Sequence, residues 1–306
     1  MGGGVYLWPG WWCVANGEWY VRRLTFFVLF IMRMQVCAQD WEMDIGAGAL
    51  NYHGELRAQR FTSKGMRPAF SAGIGRWVGE WNSVFVRFSS GTLTGRDSDN
   101  PSYVTRRRNL DFETLVHEFN MGFRQFLHPD PDGCWSPYVN VGMALFWVNP
   151  YTRDQLGMKH SLYDLSLEGQ GLPQFPTLKV PSPINLSMPV GAGLAFRLTE
   201  SLRLDIEMMA RKTFTDQIDG VGGYYPPMES LKAMRGSIAV NLSYRSDELV
   251  GEDPVFPPEG TLRGNPKTKD WYYGLMLRFV WHRINYRYSY PPKRKLFKPK
   301  GWPYRL

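Results

Sequence analysis

The chain has 306 residues, 43% hydrophobic and 15% aromatic, with 31 glycines and 22 prolines; this excludes a disordered acidic chain and speaks for many turns rather than a helical bundle. The formal net charge is +8, but Arg287, Lys293, Arg294, Lys295, Lys298, Lys300 and Arg305 crowd the last stretch with no acid among them. The excess therefore belongs to an appendage rather than to a nucleic-acid-binding face.

In chain order, Arg22 and Arg23 precede the apolar stretch Leu24–Met32, and Val36 and Ala38 then occupy the −3 and −1 positions of a signal-peptidase site. Residues 21–39 are expected to be a secretory signal peptide, too short to span a membrane. Residues 1–20 resemble no targeting segment and read as a leader assigned too early, with Val21 as the initiator. Cys37 makes no lipoprotein site, because bulky Val36 precedes it. Cys13 also lies before the cut, leaving Cys134 alone in a turn without a disulfide framework.

From residue 40 to residue 283 hydrophobicity alternates with a period of two, the signature of strands. Strands are expected near Trp41–Asn51, Arg67–Trp77, Ser83–Gly91, Thr114–Leu127, Tyr138–Val148, Ile184–Leu198, Ser201–Thr213 and Tyr273–Trp281. Short connections begin at Gly79, His128 and Thr199. Long polar ones cover 53–65, 92–109, 151–183 and 215–270, and the two kinds alternate strictly. Read with the residues before it, the segment 236–246 shows nearly helical spacing of Leu231, Met234, Ile238 and Leu242, so it reads as helix or irregular loop. The strand number then stays even. The expected fold is all-β: an antiparallel up-and-down transmembrane barrel of about eight strands, with short periplasmic turns, long extracellular loops and both barrel ends periplasmic.

A soluble ligand-binding barrel would also alternate, but its outside would be richly charged. Here the non-apolar face is Gly, Ala and Ser with Glu42, Asp44, Arg67, Arg87, Glu118, Arg124, Arg203, Asp205, Glu207, Arg211 and Arg278, and lysine is nearly absent from it. Arginine with carboxylates suits buried pairs, so these residues are expected to form an interior charge network. Leu, Val, Met and Phe would face hydrocarbon. Trp41, Trp77, Trp81, Trp147, Trp271 and Trp281 would form interfacial girdles. In the last strand Tyr273, Leu275, Leu277, Phe279 and Trp281 would face lipid, and Gly274, Met276 and Arg278 the interior. Tyr272, Gly274, Leu277 and Phe279 also resemble the signal that assembly machinery reads on a closing strand. So narrow a barrel is filled by side chains and is no porin.

Catalytic signals are weak. His117 falls on the lipid face and His128 opens a turn, neither with a Ser and an acid at triad spacing. Asp97, Asp99 and Asn100, like Asp130 and Asp132, do not fill a calcium loop. The stretch from Arg263 lacks the glycine and Gly-Lys-Ser/Thr end of a phosphate loop. No catalytic residue, cofactor, metal or small-molecule substrate is expected. The basic, proline-rich tail 284–306 is read as a periplasmic docking segment. Lys293, Arg294, Lys295, Lys298 and Lys300 would supply charge and Trp302 an aromatic anchor.

Four words, "RRRNLDF" from Arg106, "LYDLSLEGQGL" from Leu162, "RKTFTDQIDGV" from Arg211 and "RGNPKTKDWYYG" from Arg263, recur in this order in a known family. Over roughly Trp41 to Trp281 the chain resembles the PorG-type outer-membrane β-barrels of type IX secretion and gliding motility. The resemblance implies a non-enzymatic component in the outer membrane of a Gram-negative cell. It would tie a periplasmic ring, formed by a lipoprotein and its partner, to that membrane. The leader and the tail depart from the family pattern. Alternatives are an adhesin or structural barrel working through its loops, and a lipid-modifying barrel enzyme.

Overall fold

The computed structural model describes residues 41–57, 59, 62–79, 81–127, 135–199, 201–249 and 256–282. The expected leader, signal peptide and tail lie outside them, and so do Lys293, Arg294, Lys295, Lys298, Lys300 and Trp302, together with His128 and Cys134. The described strands are β1 (Trp41–His53), β2 (Arg67–Trp77), β3 (Asn82–Arg96), β4 (Asp111–Phe126), β5 (Trp135–Trp147), β6 (Tyr151–Arg153), β7 (Lys159–Ser161), β8 (Ile184–Arg197), β9 (Leu202–Thr213) and β10 (Trp271–His282).

Eight of them form a closed antiparallel ring in the order β1-β2-β3-β4-β5-β8-β9-β10. The seam joins the first strand to the last, with Glu42 opposite His282 and His53 opposite Trp271. Closure leaves no unpaired edge, the condition for sheet to cross hydrocarbon. The β6–β7 hairpin is a side branch, touching the ring where Tyr151 pairs with Glu113. Residues 237–243 form a helix, so the ring keeps its even count.

Alternation sorts the two faces. Met43, Ile45, Phe70, Ile74, Phe119, Met121, Met143, Leu275 and Leu277 are exposed on the outside, an apolar wall that water would not tolerate at this size. The cations that do point outward sit at its edges: Arg76 over the Trp41 ring at 5.5 Å and Lys212 over Trp271 at 5.8 Å. Trp41, Trp81, Trp135 and Trp281 mark the short-turn edge, and Trp147 and Trp271 the other. Trp77 departs from the expected girdle. It has inward parity and stacks on Phe126 at 5.0 Å, in a small core with Tyr138 and Ala195. The twelve residues of β10 match the roughly 9–11 that a tilted strand needs to cross a bilayer. The molecule is a membrane-spanning β-barrel.

Two expectations need correction. β3 and β4 run beyond Gly91 and Thr114 and stay paired to Arg96 and Asp111. Thr92, Thr94 and Gly95 read as loop because they are small and polar, yet Leu93 and Thr94 are buried there. Tyr273 does not face lipid. It has outward parity, but the β1–β2 loop crosses over it: its hydroxyl accepts from the Thr62 backbone N–H at 3.0 Å and from the Asn51 side chain at 3.1 Å.

The long connections fold together rather than waving in solvent. Helices α1 (Tyr103–Arg108), α2 (Leu162–Leu165), α3 (Met228–Arg235) and α4 (Ser237–Ser243) lie in them. Leu56, Leu162, Leu167, Ile218, Val221, Leu231 and Ala239 share one buried core with barrel residues Leu50, Leu93, Phe146, Tyr272 and Met276. This core is a cap over one mouth.

Leu277 stands mid-strand on the wall, opposite Ala47 and Ile206. Leu277→Arg is expected to cost about 2–4 kcal/mol, the penalty for a cation near the bilayer midplane. The measurement is the denaturant midpoint of the vesicle-reconstituted barrel, with Lys212→Arg at the edge expected to leave it unchanged.

Candidate functional site

The inward positions bring charges from five strands into one buried network. Asp44 of β1 accepts from Arg87 Nε of β3 at 3.0 Å and lies 3.7 Å from Arg278 Nε of β10. Glu207 of β9 pairs with Arg278 and lies 3.6 Å from Arg87 Nη1. One level toward the short connections, Glu42 takes Arg124 of β4 at 2.8 Å and Arg203 at 3.2 Å, while Arg203 Nε reaches Asp205 at 2.6 Å. Toward the cap, Glu118 accepts from Arg211 Nε at 2.7 Å and from the Tyr272 hydroxyl. Five guanidiniums face five carboxylates, all buried.

The backbone makes room for these groups. A Cβ on Gly46 would lie 2.7 Å from Arg278 Cγ, and one on Gly75 would lie 2.8 Å from Glu42 Cγ. Each inward glycine thus clears space for a long side chain on the neighbouring strand. Aromatics fill what remains: Arg87 lies over Phe85 at 4.5 Å and Arg124 over Tyr138 at 4.9 Å. Tyr138 and Asn140 also donate to Glu207 at 3.1 and 2.9 Å. These two and Tyr272 were missing from the sequence-derived network, although their inward parity marked them.

Arg67 does not belong to the network. It has inward parity, but it is the first residue of β2, opposite Leu50 at the capped mouth, and it is exposed. The charged part of the lumen ends below it.

The cap has its own polar skeleton. Glu168 Oε1 accepts from Arg263 Nη1 at 3.0 Å and from the backbone N–H of Gly222 and Gly223 at 2.8 and 2.9 Å. Gln217 donates to its other oxygen at 3.1 Å. Asp97 takes a bidentate pair from Arg108 at 2.7 and 2.6 Å, and the Leu110 N–H at 3.0 Å. Arg108 also donates to the Arg263 carbonyl. Arg108, Glu168, Gln217 and Arg263 come one from each of the four sequence words quoted above. Those words, distant in the chain, interlock to fold the loops.

Beside them Glu55, Asp219 and Asp270 bring carboxylate oxygens within 4.8 Å of one another. The Tyr52 hydroxyl lies 2.7 Å from Asp219 Oδ2 and 2.9 Å from Asp270 Oδ1. One phenol hydrogen serves only one of these oxygens, so the other contact needs a protonated carboxyl. Burial, then the nearby Glu55 charge, holds Asp219 well above the usual carboxylate range; burial, then Asp219, does the same for Asp270. Three such oxygens supply at most half of the six or more that a calcium ion takes. A shared proton fits the geometry better.

No catalytic set emerges among the described histidines. His117 is exposed on the wall, opposite Ser90, with its ring stacked on Phe88 at 6.0 Å. His160 pairs with Asp154 at 2.9 Å on the β6–β7 hairpin, where Asp154 also accepts from two backbone N–H groups. Asp97 and Asp99 are engaged by Arg108 and Arg57, not arranged as a calcium loop.

No protein-family model and no curated protein matches the chain. Among solved structures it is similar to Neisserial surface protein A, with 8% identity over 79% of this chain and 96% of that one, TM-score 0.39. Ail, the attachment invasion locus protein of Yersinia pestis, gives 10% identity over 80% and 99%, TM-score 0.39. A major outer membrane protein from Thermus thermophilus gives 11% over 79% and 99%, TM-score 0.35. The closed register and the apolar wall identify the barrel without these likenesses.

Glu207→Ala leaves Arg87 and Arg278 short of a counter-ion and is expected to cost about 3–5 kcal/mol in denaturant unfolding; the double variant Glu207→Leu/Arg278→Met should cost clearly less. For the acid cluster the sign runs the other way from an ordinary ion pair. A carboxyl with a raised folded pKa contributes stability fully below its ordinary value and loses it as pH rises through the folded value. Hydrogen exchange of 215–223 should therefore quicken beyond its intrinsic rise as pH climbs well above the ordinary carboxylate range, and Asp219→Asn should flatten that dependence.

Proposed function

We propose that this chain is a non-enzymatic outer-membrane scaffold of the type IX secretion machinery, tying the periplasmic ring to the membrane. The observation that carries the reading is the interlock of the four family-like words in the cap. The likeness is then a likeness of a three-dimensional part, since Arg108, Glu168, Gln217 and Arg263 meet in space. A lumen filled by Arg87, Arg124, Arg278 and Tyr138, each almost wholly buried, offers no transport path. A filled barrel of this kind fits an anchoring role.

Further support comes from the chain's direction. Glu42 and His282 pair at the short-turn end, away from the cap, so the last described residue stands on the proposed periplasmic side. There Lys293, Arg294, Lys295, Lys298, Lys300 and Trp302 would meet an acidic face of the ring proteins. The alternative reading, an adhesin or structural barrel, is favoured by apolar side chains on the loops: Leu156 is 83% and Val104 78% exposed.

Deletion of the gene is expected to retain cargo that carries the secretion system's C-terminal domain; normal secretion would overturn the scaffold reading and favour the adhesin. Cross-linking the full chain should capture periplasmic partners that a chain ending at Ser289 loses. Unchanged partners would reject docking through the tail.

A further inference from the structure

The buried arginines of the lumen and the cap are matched by acids. The lumen pairs five with five, and in the cap Arg108, Arg245 and Arg263 are matched by Asp97, Asp111 with Glu248, and Glu168. At one place several arginines converge on a single acid. A pocket of about 260 Å³ at the capped mouth is lined by Arg57, Arg67 and Arg96, with Asp99 as its one lining acid.

The three guanidiniums differ in how they are held. Arg57 is 3% exposed. Its Nη1 donates to the Lys64 carbonyl and its Nη2 reaches Asp99 at 3.2 Å, while its Nε is buried without a hydrogen-bond partner. Gly65, at φ 73°, keeps this arginine in place: a Cβ there would lie 2.1 Å from Arg57 Nη2. Arg67 and Arg96 are exposed, and among the described residues neither side chain makes an ion pair or hydrogen bond. The hydroxyls of Thr94 and Ser98 complete the lining. Three cations against one anion leave an excess of two positive charges around a cavity with several free donors.

The pocket's height on the barrel selects among anions. At the outward positions of β3 the order is Val86, Phe88, Ser90, Thr92, the buried Thr94 and exposed Arg96, so the strand passes from hydrocarbon-facing to polar to cationic. On β2, exposed Phe70 stands three residues from Arg67. An anion in the pocket would thus sit just above the apolar belt, where lipid headgroups lie. Guanidinium forks match phosphate oxygens bidentately.

We propose that Arg57, Arg67 and Arg96 form an anion site for a phosphate of an outer-leaflet glycolipid, whose acyl chains lie along the apolar wall beneath. The proposal rests on the reading of the capped mouth as the outer face, and it assigns a bound lipid to a scaffold rather than a substrate to an enzyme. Free phosphate shares the chemistry but gains nothing from the wall.

The test uses the full chain folded in detergent micelles, titrated with lipid A, with dephosphorylated lipid A and with inorganic phosphate, and read by native mass spectrometry. Arg67→Gln/Arg96→Gln changes only exposed positions; its folding is checked by heat-modifiable gel migration. Lipid A is expected to bind the wild type at least about tenfold more tightly than the double variant, as loss of charge-assisted hydrogen bonds implies. Dephosphorylated lipid A should bind both alike and weakly. Equal binding of lipid A by both forms would overturn the site. Inorganic phosphate displacing lipid A at equimolar concentration would overturn the lipid source. Cargo secretion by a strain carrying the double variant is scored separately, so failure of the site and failure of the scaffold reading are told apart.

Discussion

The lumen of an eight-stranded barrel is too narrow for bulk water, and in this chain it is too charged to be left unpaired. Removing a carboxylate or a guanidinium from water costs several kcal/mol even after relaxation, and only close, well-directed counter-charges offset it. The strand register supplies them. Asp44, Glu42 and Arg278 sit on the two seam strands, and their partners Arg87, Arg124, Arg203 and Glu207 sit on β3, β4 and β9. A slip of β10 by one residue at the seam would turn Arg278 toward lipid and Leu277 inward. Charge pairing inside and apolar burial outside therefore enforce the same closure.

The cap depends on that closure in turn. Its apolar core is continuous with Leu50, Met276 and Tyr272 at the mouth, so it can form only when β1 and β10 are joined. Its polar skeleton then ties together loops that the ring holds at fixed spacing. Glu168 gathers two backbone amides, a guanidinium and an amide side chain. A carboxylate so fully used orders a long connection that would otherwise carry a large conformational entropy. This explains why the long loops lack the polar monotony of solvated loops.

Much of this was legible in the sequence, and unevenly so. The period of two marked the eight strands and their faces, because lipid and a packed lumen impose opposite demands on successive residues. Ten of the eleven charges assigned to the interior lie there; Arg67 escapes because parity says which way a residue points but not how high it stands. Tyr273 and Trp77 escaped for a related reason. Their environments are set by the crossing β1–β2 loop and by Phe126, contacts with no local periodicity. Glu168, Asp219 and Asp270 stood inside recognisable words, but without coordinates nothing distinguished a loop-folding acid from a partner-binding one.

The words that suggested a family now have a physical meaning, and that meaning limits what they imply. Buried residues such as Glu168, Arg263, Ile218 and Asp270 are committed to folding the cap and cannot also face a partner. The exposed residues of the same words, 265–269 among them, are not so committed. The chain matches its buried lumen arginines with acids but leaves Arg67 and Arg96 exposed at the capped mouth, so charge pairing is enforced where water is excluded and relaxed where water can solvate a guanidinium.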